Sequence, residues 1–181
     1  MVLIGCTPAG RTTEQHDVFF GIGTSLKDLV PGMQASWPEA QGRIHLDAWR
    51  EVTFVDGYEV SIHLRPAETL PEQEAALFFL NLGGYKPGEF EEYHYKMVVA
   101  AKDKASAIQK ARRTAFYKHA GFKGAASHID DKYGIDVDDM HRIADILPPQ
   151  TREQYCIRLA YTGTTRADEQ HIGYVKLSTI S

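Results

Sequence analysis

The chain has 181 residues, 43% hydrophobic and 24% charged, with 20 Lys+Arg against 24 Asp+Glu and a formal net charge of −4. That composition excludes a disordered tail, a collagen-like rod and a disulfide scaffold. No apolar run approaches the roughly 20 residues that span a bilayer, and a chain of this length buries roughly 70% of its unfolded surface without staples.

The first residues, Met1-Val2-Leu3-Ile4-Gly5-Cys6, mimic a lipoprotein cleavage box, but no basic or apolar leader precedes Cys6. A short first strand entering a glycine turn is expected instead. Cys6 and Cys156 are the only cysteines, with no CxxC pair and no secretory signal. They are expected as reduced core residues of a cytoplasmic protein. The stretch from Gly5 to Thr12 imitates a phosphate loop. Arg11 stands where the lysine should be, and a strand-like run follows where a helix must begin, so phosphate binding of that kind is not expected.

Residues 18–22 form an apolar, strand-like run. Ser25 followed by Asp28 then marks a helix start, since each side chain can pair a backbone N–H of the other. Leu26, Leu29, Met33 and Trp37 make one helical stripe, and Pro31 predicts a kink or early break within it. His45-Leu46-Asp47 comes next. Val52 and Phe54, then Asp56-Gly57, then Tyr58, Val60 and Ile62 predict a hairpin with a tight I′ turn.

Residues 66–76, with two prolines and three glutamates within 66–74, read as a linker. Beyond it the pattern recurs. Residues 79–84 lead to Glu92-Tyr93-His94 and an apolar run at 97–101, and Asp103 caps a helix with the stripe Ala105, Ile108, Ala111, Ala115 and Phe116. His128-Ile129-Asp130 and a strand at 135–137 follow. Residues 138–147 suit a helix by spacing and a strand by alignment. Pro148-Pro149 ends either, and residues 155–161 and 171–177 are the final strands.

Glu-x-His and His-x-Asp therefore occur twice in the same order, at offsets of 78 for His16 and His94 and 83 for His45 and His128. Such ordered recurrence predicts duplication, although Glu169-Gln170-His171 repeats the tripeptide outside both copies. The fold expected is α+β: two tandem ββαββ units, each an antiparallel sheet with one covering helix. Their bounds are 1–65 and 77–161, with the linker between and a C-terminal hairpin strand in 162–181.

Residues 3–64, with Gly10, Glu14-x-His16, the helix, His45-x-Asp47 and Asp56-Gly57-Tyr58, resemble a bacterial family, domain of unknown function fifteen-forty-three. The resemblance extends over residues 3–160 as a two-copy member. It implies tandem units and a bacterial origin, and brings no activity.

Residues i and i+2 of a strand share a face. Glu14 with His16, and His45 with Asp47, can thus present four ligand-type groups if their strands are neighbours. Such a set suits a divalent metal or a general base pair. Glu92, His94, His128 and Asp130 are the second set. The competing reading is a pair of structural histidine–carboxylate hydrogen bonds.

Charge is uneven. Residues 96–123 hold eight basic residues and one acid, leaving −11 for the rest. Lys104, Lys110, Arg112, Arg113 and Lys118 are the candidate anion-binding set. The alternative is a helix face docked on acidic segments of the same chain. No nucleic-acid signature accompanies the charge, and no GxSxG or GxGxxG occurs.

The function expected is a non-catalytic binding or interaction protein, its partner another protein or a second copy. A metal-dependent, hydrolase-like enzyme is the alternative, and a nucleic-acid binder the weaker third.

Overall fold

The computed structural model describes residues 1–68, 71–85, 89–119 and 136–180. It is an α+β fold with three antiparallel sheets. The first sheet holds β1 (Val2–Cys6), β2 (Gln15–Phe19), β3 (His45–Trp49) and β10 (His171–Lys176) in the order β10-β3-β1-β2. Val2, Ile4 and Cys6 alternate inward on β1, each about 1% exposed, and pack with Leu46 under α1 (Leu26–Ser36). Gly5 lies between two of them and so belongs to the opposite face.

Helix α1 begins as its sequence dictates. Asp28 N donates to Ser25 Oγ at 3.4 Å, and Asp28 Oδ2 accepts from Ser25 N at 3.0 Å and from Thr24. Met33 is fully buried, with Leu26, Leu29 and Trp37 packed around it. Burying that methionine stabilises the unit by about 2 kcal/mol. Of the kink or early break expected at Pro31, the break does not occur, for the helix runs on to Ser36 with Pro31 inside it. The bond that proline removes is one in a helix whose buried stripe holds it on the sheet.

The second sheet holds β6 (Ala76–Tyr85), β7 (Glu92–Ala101) and β8 (Asp136–Arg142) in the order β7-β6-β8, covered by α2 (Lys104–His119). Asp103 caps α2 by accepting Ser106 N at 2.8 Å. Among the described side chains of α2, Ala107 and Ala111 are fully buried, and Ala105, expected on the stripe, is exposed. An alanine-rich helix offers little hydrophobic contrast, so its phase is poorly marked.

A small third sheet pairs β4 (Phe54–Val55), β5 (Tyr58–Leu64) and β9 (Tyr155–Tyr161). Asp56 and Gly57 turn the hairpin with φ of 51° and 84°, the left-handed pair an I′ turn needs. The hairpin thus forms where expected but joins β9 rather than the sheet of β1–β3. Residues 138–147 divide between the two expectations: β8 runs to Arg142, and a short α3 (Ile143–Ile146) follows. Pro149 then opens α4 (Pro149–Gln154) from its first turn, where a missing N–H costs nothing.

Two placements differ from the sequence reading. β10 does not fold back on β9; it pairs with β3 in the first sheet. Asp168, whose side chain is 1% exposed, fixes that path. Its Oδ1 accepts Thr53 N and Phe54 N, each at 3.0 Å, and the Thr53 hydroxyl. The linker also ends in contact: Gln73 donates to Ile157 O and accepts from Leu159 N, both at 2.9 Å, closing the free edge of β9.

The first two sheets share a wiring. In each, the first strand lies centrally between the second and the strand after the helix. Gly5 is in register with His16 and His45, and Gly83 with His94 and Asp136. Each central strand has its irregularity one step from that glycine, between Leu3 and Ile4 and between Asn81 and Leu82. A shared core of Phe20, Val55, Leu77, Phe79, Val98 and Ile143 joins the two halves.

Candidate metal centre

Gly5 organises this site. β2 and β3 are not neighbours, as the sequence reading required; β1 lies between them. Their side chains meet because the residue between His16 and His45 has none. A Cβ built on Gly5 would stand 2.5 Å from His45 Nε2 and 2.7 Å from Asp47 Oδ2. The glycine is required by close approach, not by its backbone angles.

Over that floor, His45 Nε2 lies 2.8 Å from Glu14 Oε1 and 3.4 Å from Asp47 Oδ1, and His16 Nε2 lies 3.2 Å from Asp47 Oδ2. One donor atom each from Glu14, His16 and His45 fall within 4.8 Å of one another. Ligand atoms at the corners of a tetrahedron with bonds near 2.0 Å stand about 3.3 Å apart, so the spacing suits a small divalent ion. Two imidazoles and a carboxylate are a borderline donor set, fit for zinc, manganese, iron or nickel.

Burial is graded across the cluster. The His45 side chain is 11% exposed and Asp47 26%, while His16 and Glu14 are 41% and 43% exposed. One wall is therefore protein and the other solvent. Asp47 Oδ2 is itself buried and receives no hydrogen bond of good geometry, its near neighbour being the His16 ring nitrogen. A buried carboxylate oxygen without a donor is what a cation would relieve.

β10 completes the inner wall. The Tyr174 ring lies 4.5 Å from the His45 ring at 34°. On the other, core-side face of the sheet His171 stacks on Trp49 at 3.9 Å and 11°. Sequence reasoning missed Gly5 and Tyr174 as parts of this region. Only pairing across more than a hundred residues brings β10 here, and no local pattern announces it.

The second set is not assembled in the same way. His94 Nε2 is 3.9 Å from Glu92 Oε2. His128 and Asp130 lie outside the described residues. The residue across Gly83, in the place His45 holds across Gly5, is Asp136. Equivalent positions are thus offset by 78 at His16 and His94 and by 91 at His45 and Asp136, so His128 is not the register counterpart of His45.

The basic helix is partly engaged within the chain. Lys110 Nζ donates to Asp56 Oδ2 at 3.1 Å and to Ala100 O. Lys104, Arg112 and Arg113 are exposed along α2, and Lys118 belongs to the same helix. The loop at Gly5–Thr12 leads from β1 through a turn at Gly10 (φ 79°) into β2, with no helix to cradle a phosphate.

Both cysteines are buried and unpaired. Among the described residues no helix is long and apolar enough to cross a membrane.

No curated protein matches the chain. The crystal structure of a protein Il1583 from Idiomarina loihiensis is similar to it throughout, with 25% identity and a TM-score of 0.64. That likeness covers 97% of this chain and 94% of that one. Residues 11–62, which carry Glu14, His16, His45 and Asp47, match the family Domain of Unknown Function (DUF1543).

Proposed function

We propose that the protein is a binding protein of two duplicated units, the first of which holds a divalent metal ion through Glu14, His16 and His45, with Asp47 beside both imidazoles. The observation that carries this reading is the convergence of three donor atoms within 4.8 Å over a glycine floor. Duplication is supported by the common strand order and by the matched registers at Gly5 and Gly83. The unit bounds are those of the sequence, 1–65 and 77–161. Two buried free thiols favour a reducing, cytoplasmic setting.

Metal content tests the reading directly. Protein purified without a histidine tag is expected to carry about one zinc, manganese or nickel ion per chain, with a rise in melting temperature on adding the metal. H16A and H45A should abolish both. Less than about a tenth of an ion per chain, with no thermal shift for any of the three, overturns it.

The exposure of Glu14 and His16 favours a second reading, a metal-dependent hydrolase. An ion held by Glu14, His16 and His45 would supply Lewis acidity and an acidified water as nucleophile. Hydrolysis of an activated ester that requires the metal, and that falls in D47N while metal content is retained, separates catalysis from binding. Nucleic-acid binding through α2 has less support, because Lys110 already has Asp56 as its partner.

A further inference from the structure

A second site lies elsewhere, in a cavity of about 390 Å³ between β9, the start of β6 and the ends of β7 and β8. Among the described residues five cations line it: Arg65, Lys102, Arg142, Arg152 and Arg158. They come from five different parts of the chain: after β5, after β7, the end of β8, α4, and β9. Among the described residues Glu72 is the one carboxylate in the wall.

The cations are not there to neutralise one another's neighbours. Lys102, Arg142 and Arg158 make no ion pair with any described residue. Arg65 donates to two carbonyls, Arg152 O at 2.8 Å through Nε and Tyr155 O at 3.1 Å through Nη2. Arg152 donates to Asp145 O at 3.1 Å. Neutral acceptors hold these two guanidinium groups in place while leaving their charge uncompensated. Like charges gathered around one concavity repel and focus a positive potential into it, which an anion relieves.

We propose that this cavity binds a small polyanion bearing phosphate groups. The size is that of a small-molecule site rather than of a protein or nucleic-acid groove. Arginine forks match phosphate oxygens in pairs, and four of the five cations are arginines. The site is independent of the metal centre and of the exposed face of α2.

Calorimetric titration of the full chain with pyrophosphate and with ADP, at low and at high salt, tests the proposal. At least one probe is expected to bind with a Kd below about 1 mM at low salt, and more weakly at high salt. R142Q/R158Q should weaken that binding at least about tenfold, whereas K104Q/R113Q, on the outer face of α2, should change it less than about twofold. R142K keeps the charge but not the fork, and serves in place of the double variant should that fail to fold; it too should bind several-fold more weakly. Absence of binding by both probes overturns the proposal. So does binding indifferent to R142Q/R158Q and R142K, or binding weakened as much by K104Q/R113Q.

Discussion

Asp56, at the tip of the β4–β5 turn, accepts the Lys110 ammonium of α2 at 3.1 Å. The same oxygen accepts Ala100 N at 3.1 Å, so one carboxylate ties the first hairpin to both the edge strand and the helix of the second sheet. Both partners are more than a third exposed, and water screens the ion pair accordingly. D56N keeps the left-handed turn, which asparagine tolerates, and removes the charge. It is expected to lower stability by about 1 kcal/mol in urea unfolding. An unchanged midpoint would mean that the contact does not hold the halves together.

The glycine floor makes a sharper claim. G5A places a methyl carbon 2.5 Å from His45 Nε2, so the ring must move. Overpacking of this kind costs about 1–3 kcal/mol, and metal affinity should fall at least tenfold because second-order shifts of a ligand ring do so. The thermal shift with zinc reads both quantities. G10A, where a Cβ meets no atom within 4 Å, is the contrasting variant: it should strain the turn at φ 79° without loss of metal binding.

Local chemistry was readable in the sequence; pairing was not. The Ser25–Asp28 cap and the Asp56-Gly57 turn depend on residues within four positions of each other, and both form as expected. The four candidate ligands of the first site were also readable, because the i, i+2 rule needs only one strand at a time. Their convergence was not, since it rests on β1 lying between β2 and β3 and on Gly5 lacking a side chain. For the same reason His45 was aligned with His128: the tripeptides match, but register follows backbone pairing, which puts Asp136 across from Gly83. The whole-chain charge likewise hid the basic cavity, whose five cations are scattered between residues 65 and 158.

The Asp28 carboxyl is held below the usual range, first by its hydrogen bonds from Thr24 and then by those from Ser25. A group lowered on folding contributes stability above its unfolded pKa, and loses it as pH falls through the lowered, folded value. Helix α1 should therefore loosen in the acid range below ordinary aspartate titration. D28N removes the carboxylate at every pH, so its deficit in melting temperature should be present at pH 7 and shrink towards pH 2. A deficit that stays constant across that range would contradict the role of the charged cap.

Asp168 holds the loop that delivers β10 to β3, and its carboxylate is the buried acceptor for Thr53 and Phe54. D168A leaves those donors unpaired and Arg50 without its neighbour at 4.0 Å. A loss of about 3 kcal/mol is expected, since several bonds to one charged group go together. The consequence should reach the metal centre, because β10 carries the Tyr174 ring beside His45, and it should reach Trp49, on which the His171 ring of β10 stacks. Under conditions where D168A remains folded, Trp49 emission should change relative to a W37F background, and zinc affinity should fall. Retention of wild-type emission and affinity would show that β10 docks without the Asp168 strap.

His45 Nε2 and Glu14 Oε1 stand 2.8 Å apart, a separation that two bare lone pairs would not hold without a proton on one of them. A metal ion bound by the same nitrogen must displace that proton, and likewise any proton on His16 Nε2 facing Asp47. Binding should therefore release protons to the buffer, and zinc affinity should rise with pH. Titrations in two buffers of different ionisation enthalpy give the number released. E14Q leaves one fewer acceptor for the His45 proton and removes one ligand, so it should release fewer protons and bind more weakly. A binding heat that is the same in both buffers would separate the ion from the histidine nitrogens and return the cluster to a purely structural set of hydrogen bonds.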